Sequence, residues 1–216
     1  MAEYWEQRYA LSGLYSKNHS RMCASVNRLL SKAKRILVLG GGYGRNAQYF
    51  AKRKRNATIT SIDLAENAIS EGITTFGHLP NLHFEKKDLL SLDYEEKSFD
   101  TVIALYILNS FLLQDVQKIL TEVHLLLDDD GLFVGNLLRT DDEDTKWGEN
   151  IGNNEYKYEG GLLMKFYTKP EVAALLTNAG FHVELVDSFE EKRKVRTPDG
   201  WHDAESKSWF FVARKR

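Results

Sequence analysis

A glycine-rich turn is the part of the sequence with the clearest chemical meaning. It consists of Gly40, Gly41, Gly42, Tyr43 and Gly44, and it separates a short apolar run from a stretch with helical periodicity. Glycine tolerates positive φ angles and lets the backbone approach a ligand closely. A helix that begins beyond such a turn offers free N–H groups to an acidic group. The turn therefore predicts a site for a ligand with a carboxylate or phosphate next to a nucleoside.

Two carboxylates follow later strands of the same pattern. Asp63 ends the second predicted strand, where a carboxylate can accept both hydroxyls of a ribose. Asp88 follows the third strand, and its side chain or the neighbouring backbone could contact an adenine edge. Taken alone, Asp63 could be a helix cap and Asp88 a turn residue. Their register with the glycine turn favours a nucleoside-containing cofactor at the carboxyl ends of parallel strands.

The spacing of the turn argues against one class of nucleotide-binding enzyme. Dinucleotide-binding proteins have a GxGxxG pattern, whose third glycine packs the helix on the strand. Here that position is Arg45, and the pattern is GxGxG. A nicotinamide-dependent oxidoreductase is therefore disfavoured.

The elements that must position these residues alternate between strand and helix. This alternation predicts an α/β fold with a seven-stranded, mostly parallel sheet and helices on both faces. The last strand is expected to be antiparallel, because no helical crossover precedes it. Strands are predicted at residues 36–39, 58–63, 82–85, 101–106, 132–137, 183–189 and 208–213, and helices at 46–54, 66–75, 115–127 and 168–178.

Four stretches of the sequence resemble class I S-adenosylmethionine-dependent methyltransferases. They are ILVLGGGYGRNAQYFA, SIDLAENAI, KKDLLSL and FDTVIALYILNSF. The continuation GRNA after the turn and the opening YWEQRY are most similar to the tellurite-resistance and thiopurine methyltransferase-like group. The similarity extends from about Trp5 to Phe211.

The resemblance implies a Rossmann-like fold, S-adenosylmethionine as cofactor and S-adenosylhomocysteine as product. The turn glycines would contact the methionine part, Asp63 the ribose, Asp88 with Leu89 the adenine, and Tyr106 the methyl site. Where the family usually has an acidic residue that orients the methionine part, this chain has Val38. The implied cofactor-binding residues are Tyr9, Gly40, Gly41, Gly42, Gly44, Asn46, Asp63, Leu64, Asp88, Leu89 and Tyr106.

Methyl transfer is an in-line displacement that mainly requires alignment, and no residue stands out as a general base. The candidates for a catalytic role are Tyr106, His19 and His202, and Tyr167 and Trp201 could line the acceptor site. No metal-ligand spacing is present. An aromatic N-terminal helix could form a lid over a cationic cofactor or could simply pack on the domain; its aromatic residues are Tyr4, Trp5, Tyr9 and Tyr15.

The chain is expected to form one domain, residues 1–216. Residues 1–34 form a helical lid, and residues 139–162 and 190–207 form irregular loops near the acceptor site. A net charge of −2 argues against nucleic acid as a partner. The apolar run 102–108 is too short to span a membrane. A small-molecule acceptor, a cytoplasmic location and a monomer or homodimer are predicted.

Two alternatives remain open from the sequence. The first is a non-catalytic domain that senses S-adenosylmethionine, which Val38 and the missing base favour. The second is an aminopropyltransferase similar to spermidine synthase. That family carries an acidic pair after the fourth strand, whereas this chain has Tyr106-Ile107-Leu108-Asn109.

Overall fold

The computed structural model of the chain describes residues 2–12, 18–197 and 200–216. Its strands are β1 Arg35–Leu39, β2 Thr58–Asp63, β3 Leu82–Lys86, β4 Phe99–Ala104, β5 Leu127–Leu138, β6 Glu149–Gly152, β7 Glu155–Lys157, β8 Leu163–Lys165, β9 Phe181–Thr197 and β10 Gly200–Lys215. Its α-helices are α1 Ala2–Ser12, α2 Met22–Leu29, α3 Ala47–Arg53, α4 Glu66–Phe76, α5 Leu113–Leu126 and α6 Lys169–Asn178.

A seven-stranded sheet in the order β3-β2-β1-β4-β5-β10-β9 organises the fold. The strands from β3 to β5 are parallel, and β10 is antiparallel to both β5 and β9. The predicted fold class is confirmed, including the antiparallel last strand. Because β1, β2, β4 and β5 run in one direction, the segments after them all emerge at the same edge of the sheet.

Apolar side chains on both faces of the central strands form the core. Along β1, Leu37 and Leu39 pack in one buried cluster with α5 and α6, while Ile36 and Val38 pack in another with α2 and α3. This alternation follows from the pleat of a strand, which directs successive side chains to opposite faces. The sheet is therefore rigid where the glycine turn leaves it.

Helix α6 begins and ends where its capping residues predicted. The side chain of Thr168 accepts a hydrogen bond from the Glu171 backbone N–H, and the Glu171 carboxylate accepts from the Thr168 backbone N–H, which together make a capping box. Gly180, with φ of 90°, follows the helix. Local sequence alone sets both ends of this helix.

The prediction of an irregular loop at residues 190–207 is wrong. Strands β9 and β10 remain paired as far as Thr197 and Gly200, so residues 190–197 and 200–207 form a hairpin arm beyond the end of β5. The register places Glu190 opposite Lys207, and Lys192 opposite Glu205. Opposite charges across two strands favour pairing. The buried positions of the arm include Ala204 and Ser206, which are small or polar and so leave no hydrophobic period in the sequence.

The prediction of an irregular segment at residues 139–162 is also wrong. A 3₁₀ turn, Glu143–Lys146, is followed by β6 and β7, which join β8 in a three-stranded antiparallel sheet. Gly152 and Asn154 make the tight turn between β6 and β7 with φ angles of 107° and 56°. These strands are three or four residues long, and β6 is exposed, so they carry no pattern that predicts a strand.

Helices α1 and α2 lie within the described parts of the predicted N-terminal segment 1–34. Strand β4 ends two residues earlier than predicted, because Tyr106 has a φ of 59° and leaves the extended conformation. Within the described ranges, no helix combines the length and apolar character needed to cross a membrane.

Candidate functional site

The glycine turn has a conformation that only glycine adopts without strain. Gly40 and Gly42 both have φ of 55°, in the left-handed region. A Cβ on Gly40 would lie 2.3 Å from Cγ1 of Ile107, and one on Gly42 would lie 2.6 Å from the hydroxyl of Tyr9. The turn is also fixed to β2, since the Gly41 N–H donates to the Ile62 carbonyl at 2.8 Å. The backbone is therefore held in a shape that a ligand can approach closely.

Asp63 is buried at the end of β2 and ties two loops together. Its Oδ2 accepts from the Gly42 N–H at 2.8 Å, and its Oδ1 accepts from the Ala65 N–H at 3.0 Å. Burial raises the pKa of this carboxyl group, and the two backbone hydrogen bonds partly oppose that effect. An ionised carboxylate has about four acceptor positions, so acceptor capacity remains for a ribose.

Asn46 contacts the chain itself in this structure. Its Oδ1 accepts from the backbone N–H of Ser20 at 3.0 Å and from the thiol of Cys23 at 3.4 Å. The predicted cofactor residue Asn46 thereby joins the start of α3 to the segment that leads into α2. Cys23 is buried, which raises the pKa of its thiol to about 12.

The predicted adenine residues differ in exposure. Asp88 is exposed, and its Oδ1 accepts from the Leu90 N–H at 2.9 Å, which is the turn role that the sequence left open. Leu89 is buried and packs in the same cluster as Leu39 and Ile62. Leu64 is half-buried between Asp63 and α4. The structure thus brings Asp63, Leu64 and Leu89 to one edge of the sheet.

Tyr106 lies just beyond β4, beside the glycine turn. Its backbone N–H donates to Oδ1 of the buried Asn136 at 2.9 Å. Its own hydroxyl is buried and lies close to the Ser20 hydroxyl and the Glu191 carboxylate. Burial raises the pKa of this hydroxyl, and the nearby Glu191 carboxylate raises it further.

Glu191 is a residue of this site that the sequence did not indicate. It lies on the hairpin arm, and its Oε2 accepts from the Ser20 hydroxyl at 2.9 Å and from the Arg21 N–H at 3.0 Å. The carboxylate thereby joins the arm to the start of α2, close to Tyr106. No local pattern could identify it, because Glu191 stands in a run of charged residues.

Helix α1 lies along this edge of the sheet. The Tyr9 hydroxyl is close to Gly42, and Tyr4 and Trp5 pack against an apolar patch. This patch, which we call the aromatic patch, also contacts Tyr106, Tyr156 and Tyr158, and its buried residues are Leu138, Leu162, Met164 and Phe166. The helix thus connects the glycine turn to the small sheet of β6, β7 and β8.

The other candidate residues lie elsewhere or outside the described residues. His19 is exposed and stacks on Tyr49 of α3 at 4.2 Å between ring centroids. Desolvation lowers the pKa of this imidazole, and Arg53 and Arg45 lower it further. Tyr167 is buried and lines a cavity of about 180 Å³ between α5 and α6. Tyr15 lies outside the described residues, as do the side chains of Trp201 and His202.

A metal site was not expected from the sequence. Across residues 2–12, 18–197 and 200–216, no group of three or more His, Cys, Asp or Glu side chains could hold a metal ion.

Comparison with known proteins connects this geometry to a family. A family model described as a methyltransferase domain matches residues 4–186. EEF1A lysine methyltransferase 4 of Mus musculus is 29% identical over 151 residues, which cover 61% of this chain and 58% of that protein. The fatty-acid O-methyltransferase of Mycolicibacterium smegmatis is 33% identical over 103 residues, covering 48% of this chain and 36% of that protein. The chain spans about half the length of these curated relatives.

A solved structure has the same fold over nearly the whole chain. It is the 1,6-didemethyltoxoflavin-N1-methyltransferase of Burkholderia thailandensis, determined with 1,6-didemethyltoxoflavin and S-adenosylhomocysteine bound. Its TM-score is 0.70 at 21% identity, and the alignment covers 99% of this chain and 84% of that one. Because the methyltransferase-domain model matches most of the sequence, this chain belongs to the class I S-adenosylmethionine-dependent methyltransferase family, as its sequence motifs predicted.

Proposed function

We propose that this protein is a methyltransferase that transfers a methyl group from S-adenosylmethionine to a small-molecule acceptor. One observation carries the proposal: the buried Asp63 carboxylate is hydrogen-bonded to the glycine turn, at the edge of the sheet where Tyr9 and Tyr106 also lie. This arrangement matches a nucleoside with an amino-acid tail, whose ribose needs acceptors and whose carboxylate needs backbone N–H groups.

The residues present fit the cofactor at most positions. The backbone at Gly40, Gly41, Gly42 and Gly44 would receive the methionine part, with Tyr9 and Asn46 beside it. Val38 is 2% exposed and packs among apolar side chains, so it contributes no charge to the cofactor ammonium. The ribose would bind Asp63 and Leu64, the adenine would lie near Asp88 and Leu89, and the reactive end would face Tyr106.

The cofactor, when bound, supplies a sulfonium methyl group with a good leaving group already in place. The protein's contribution is therefore orientation, which can supply roughly 7–11 kcal/mol of the barrier. Aromatic rings near the cation add about 0.5–2 kcal/mol each. In this proposal the rings of Tyr4, Trp5 and Tyr106 lie near the cation. Their position supports α1, which belongs to the N-terminal segment 1–34, as a lid over the cofactor site. Residues 1–216 would then act as one domain.

The aromatic patch supports an apolar or aromatic acceptor of small size. It lies between α1, Tyr106 and the small sheet, so the segment 139–162 and the hairpin arm flank the acceptor site in this proposal. The relatives differ here: by their names, one acts on a lysine of a protein and another on a fatty acid. A cytoplasmic location, supported by a lone buried cysteine, and a monomeric or homodimeric state complete the proposal.

Isothermal titration calorimetry with S-adenosylmethionine tests cofactor binding. The wild-type protein is expected to bind in the micromolar range, and Asp63→Ala is expected to lose most of the heat because the ribose acceptor is gone. Asp88→Ala, which changes an exposed carboxylate, serves as the matched control with a smaller effect. Equal heats for wild type and Asp63→Ala would contradict the assignment.

A sensor domain remains the second candidate, because Val38 stands where a charge is expected and none of the described side chains is placed as a general base. A methyl-transfer assay with tritiated cofactor over a panel of apolar acids, phenols and amines separates the two functions. Transfer to any acceptor supports the enzyme. Tight cofactor binding without transfer across the panel supports the sensor.

A further inference from the structure

Helix α4 begins without a cap of its own. Its N-cap residue is Ala65, with φ of −83° and ψ of 115°, and alanine has no side-chain oxygen. The first N–H groups of a helix have no partner within the helix, and alanine is a poor N-cap compared with serine or aspartate. The start of α4 therefore needs an acceptor from elsewhere.

Glu6 of α1 supplies that acceptor. Its Oε1 accepts from the Glu66 N–H at 2.5 Å, and its Oε2 accepts from the Asn67 N–H at 3.1 Å. The backbone carbonyl of Glu6 also accepts from the Asn67 side-chain amide at 3.3 Å. A carboxylate at this end also interacts favourably with the helix dipole.

The contact between Glu6 and the start of α4 connects to two parts of the candidate cofactor site, the glycine turn and Asp63. Tyr9 lies one helical turn after Glu6, on the same face of α1, and its hydroxyl is close to Gly42. On the other side, the Glu6 carboxylate acts electrostatically on Asp63 and contributes to the raised pKa of that group. Asp63 itself accepts from the N–H groups of Ala65 and Gly42. Glu6, α4, Asp63, Gly42 and Tyr9 thus form a closed ring of contacts.

We propose that Glu6 is a positioning residue, which holds α1 over the glycine turn by serving as the missing cap of α4. The proposal rests on the proposed function, since it assigns α1 the task of retaining S-adenosylmethionine or its product. This role of Glu6 differs from that of a purely structural cap, because it also affects how fast the ligand leaves. The cap stabilises α4, but the connection to α1 slows exchange of the ligand.

Four variants separate these two roles. Glu6→Ala removes the cap and the connection, whereas Glu6→Gln keeps an acceptor oxygen without the charge. Glu3→Ala is the matched control, because Glu3 is an exposed glutamate of the same helix that bonds only Gln7 among the described residues. The double variant Glu6→Ala/Ala65→Ser gives α4 its own cap, since a serine hydroxyl at this position can accept from the Asn67 N–H, but leaves α1 unattached.

The measurements are thermal unfolding, hydrogen exchange of residues 2–12 in the ligand-free protein, and binding and dissociation of S-adenosylhomocysteine. Glu6→Ala is expected to bind about tenfold more weakly, mainly through faster dissociation, because the lost contact between α1 and α4 is comparable in free energy to one helix cap. Glu6→Gln should be intermediate, and Glu3→Ala should match the wild type. The double variant should regain the unfolding temperature but neither the slow dissociation nor the protection of α1.

Two outcomes overturn the proposal. One is unchanged protection of α1 in Glu6→Ala. The other is a double variant that regains slow dissociation together with its unfolding temperature, because α4 would then be the only element that matters. A wild-type protein that binds no S-adenosylhomocysteine, while Glu6→Ala still loses protection of α1, contradicts the proposed function and leaves the connection between α1 and α4 supported.

Discussion

The glycine turn and the hairpin arm lie at the same edge of the sheet, but different forces hold them. The turn is fixed by burial, because it follows a strand that is apolar on both faces. Ile107 packs against Gly40, and Asp63 accepts a hydrogen bond from the Gly42 N–H. The arm is fixed by polar contacts, with Glu191 bound to Ser20 and Arg21. On its other side, Asp142 accepts from the Lys207 N–H at 2.6 Å. Apolar packing depends little on pH, whereas hydrogen bonds to a carboxylate depend on each partner and on pH.

The largest expected effect tests the turn against an exposed glycine. Gly40→Val should lower the free energy of unfolding by about 3 kcal/mol or more, because the left-handed φ and the clash with Ile107 act together. Gly161→Ala is the control, since Gly161 also has positive φ, of 81°, but has no atom near its Cβ position. It should cost about 1 kcal/mol. Equal losses in urea denaturation would show that the turn is not closely packed.

A smaller effect is expected on the arm. Glu191→Ala should lower the free energy of unfolding by about 1–2 kcal/mol, because the Ser20 hydroxyl and the Arg21 N–H lose a charged acceptor. Glu184→Gln, on the same strand, removes an exposed ion pair with Arg214 and should change stability by about 0.5 kcal/mol or less. The same denaturation experiment measures both. If the two variants are equally stable, Glu191 does not hold the arm.

The smallest expected effect is a difference in how the stability contributed by the two regions depends on pH. Burial raises the pKa of Asp63, so folding favours its protonated form, and this group adds stability as pH falls through the raised pKa towards 3.8. Asp141 contacts the arm through Lys207, whose Nζ is 3.8 Å from its Oδ2. The hydrogen bond from Arg139 lowers the pKa of Asp141, so its contribution to stability is present above 3.8 and is lost as pH falls through the lowered pKa. Carboxyl NMR titration should place Asp63 above Asp141. The reverse order would contradict the division between the two regions.

The sequence predicts best where burial and local chemistry decide the structure. The strand before Gly40, the carboxylate at Asp63 and the capping box at Thr168 follow from patterns within a few residues, and the structure contains all three. Tyr106 was predicted as the last residue of the fourth strand, but it lies beyond β4 with a positive φ, and its backbone is held by Asn136 in another strand. Glu6 and Glu191 were missed, since their partners are 60 and 171 residues away in the chain.

The buried thiol near this edge offers a direct experimental use. Cys23 is the sole cysteine of the chain, and it lies at the start of α2, behind Asn46 and next to the segment that Glu191 holds. A thiol with its pKa raised by burial reacts slowly with maleimides while the helix stays docked. The rate at which a maleimide labels Cys23 therefore reports how often α2 undocks. Mass spectrometry measures this rate without any engineered probe.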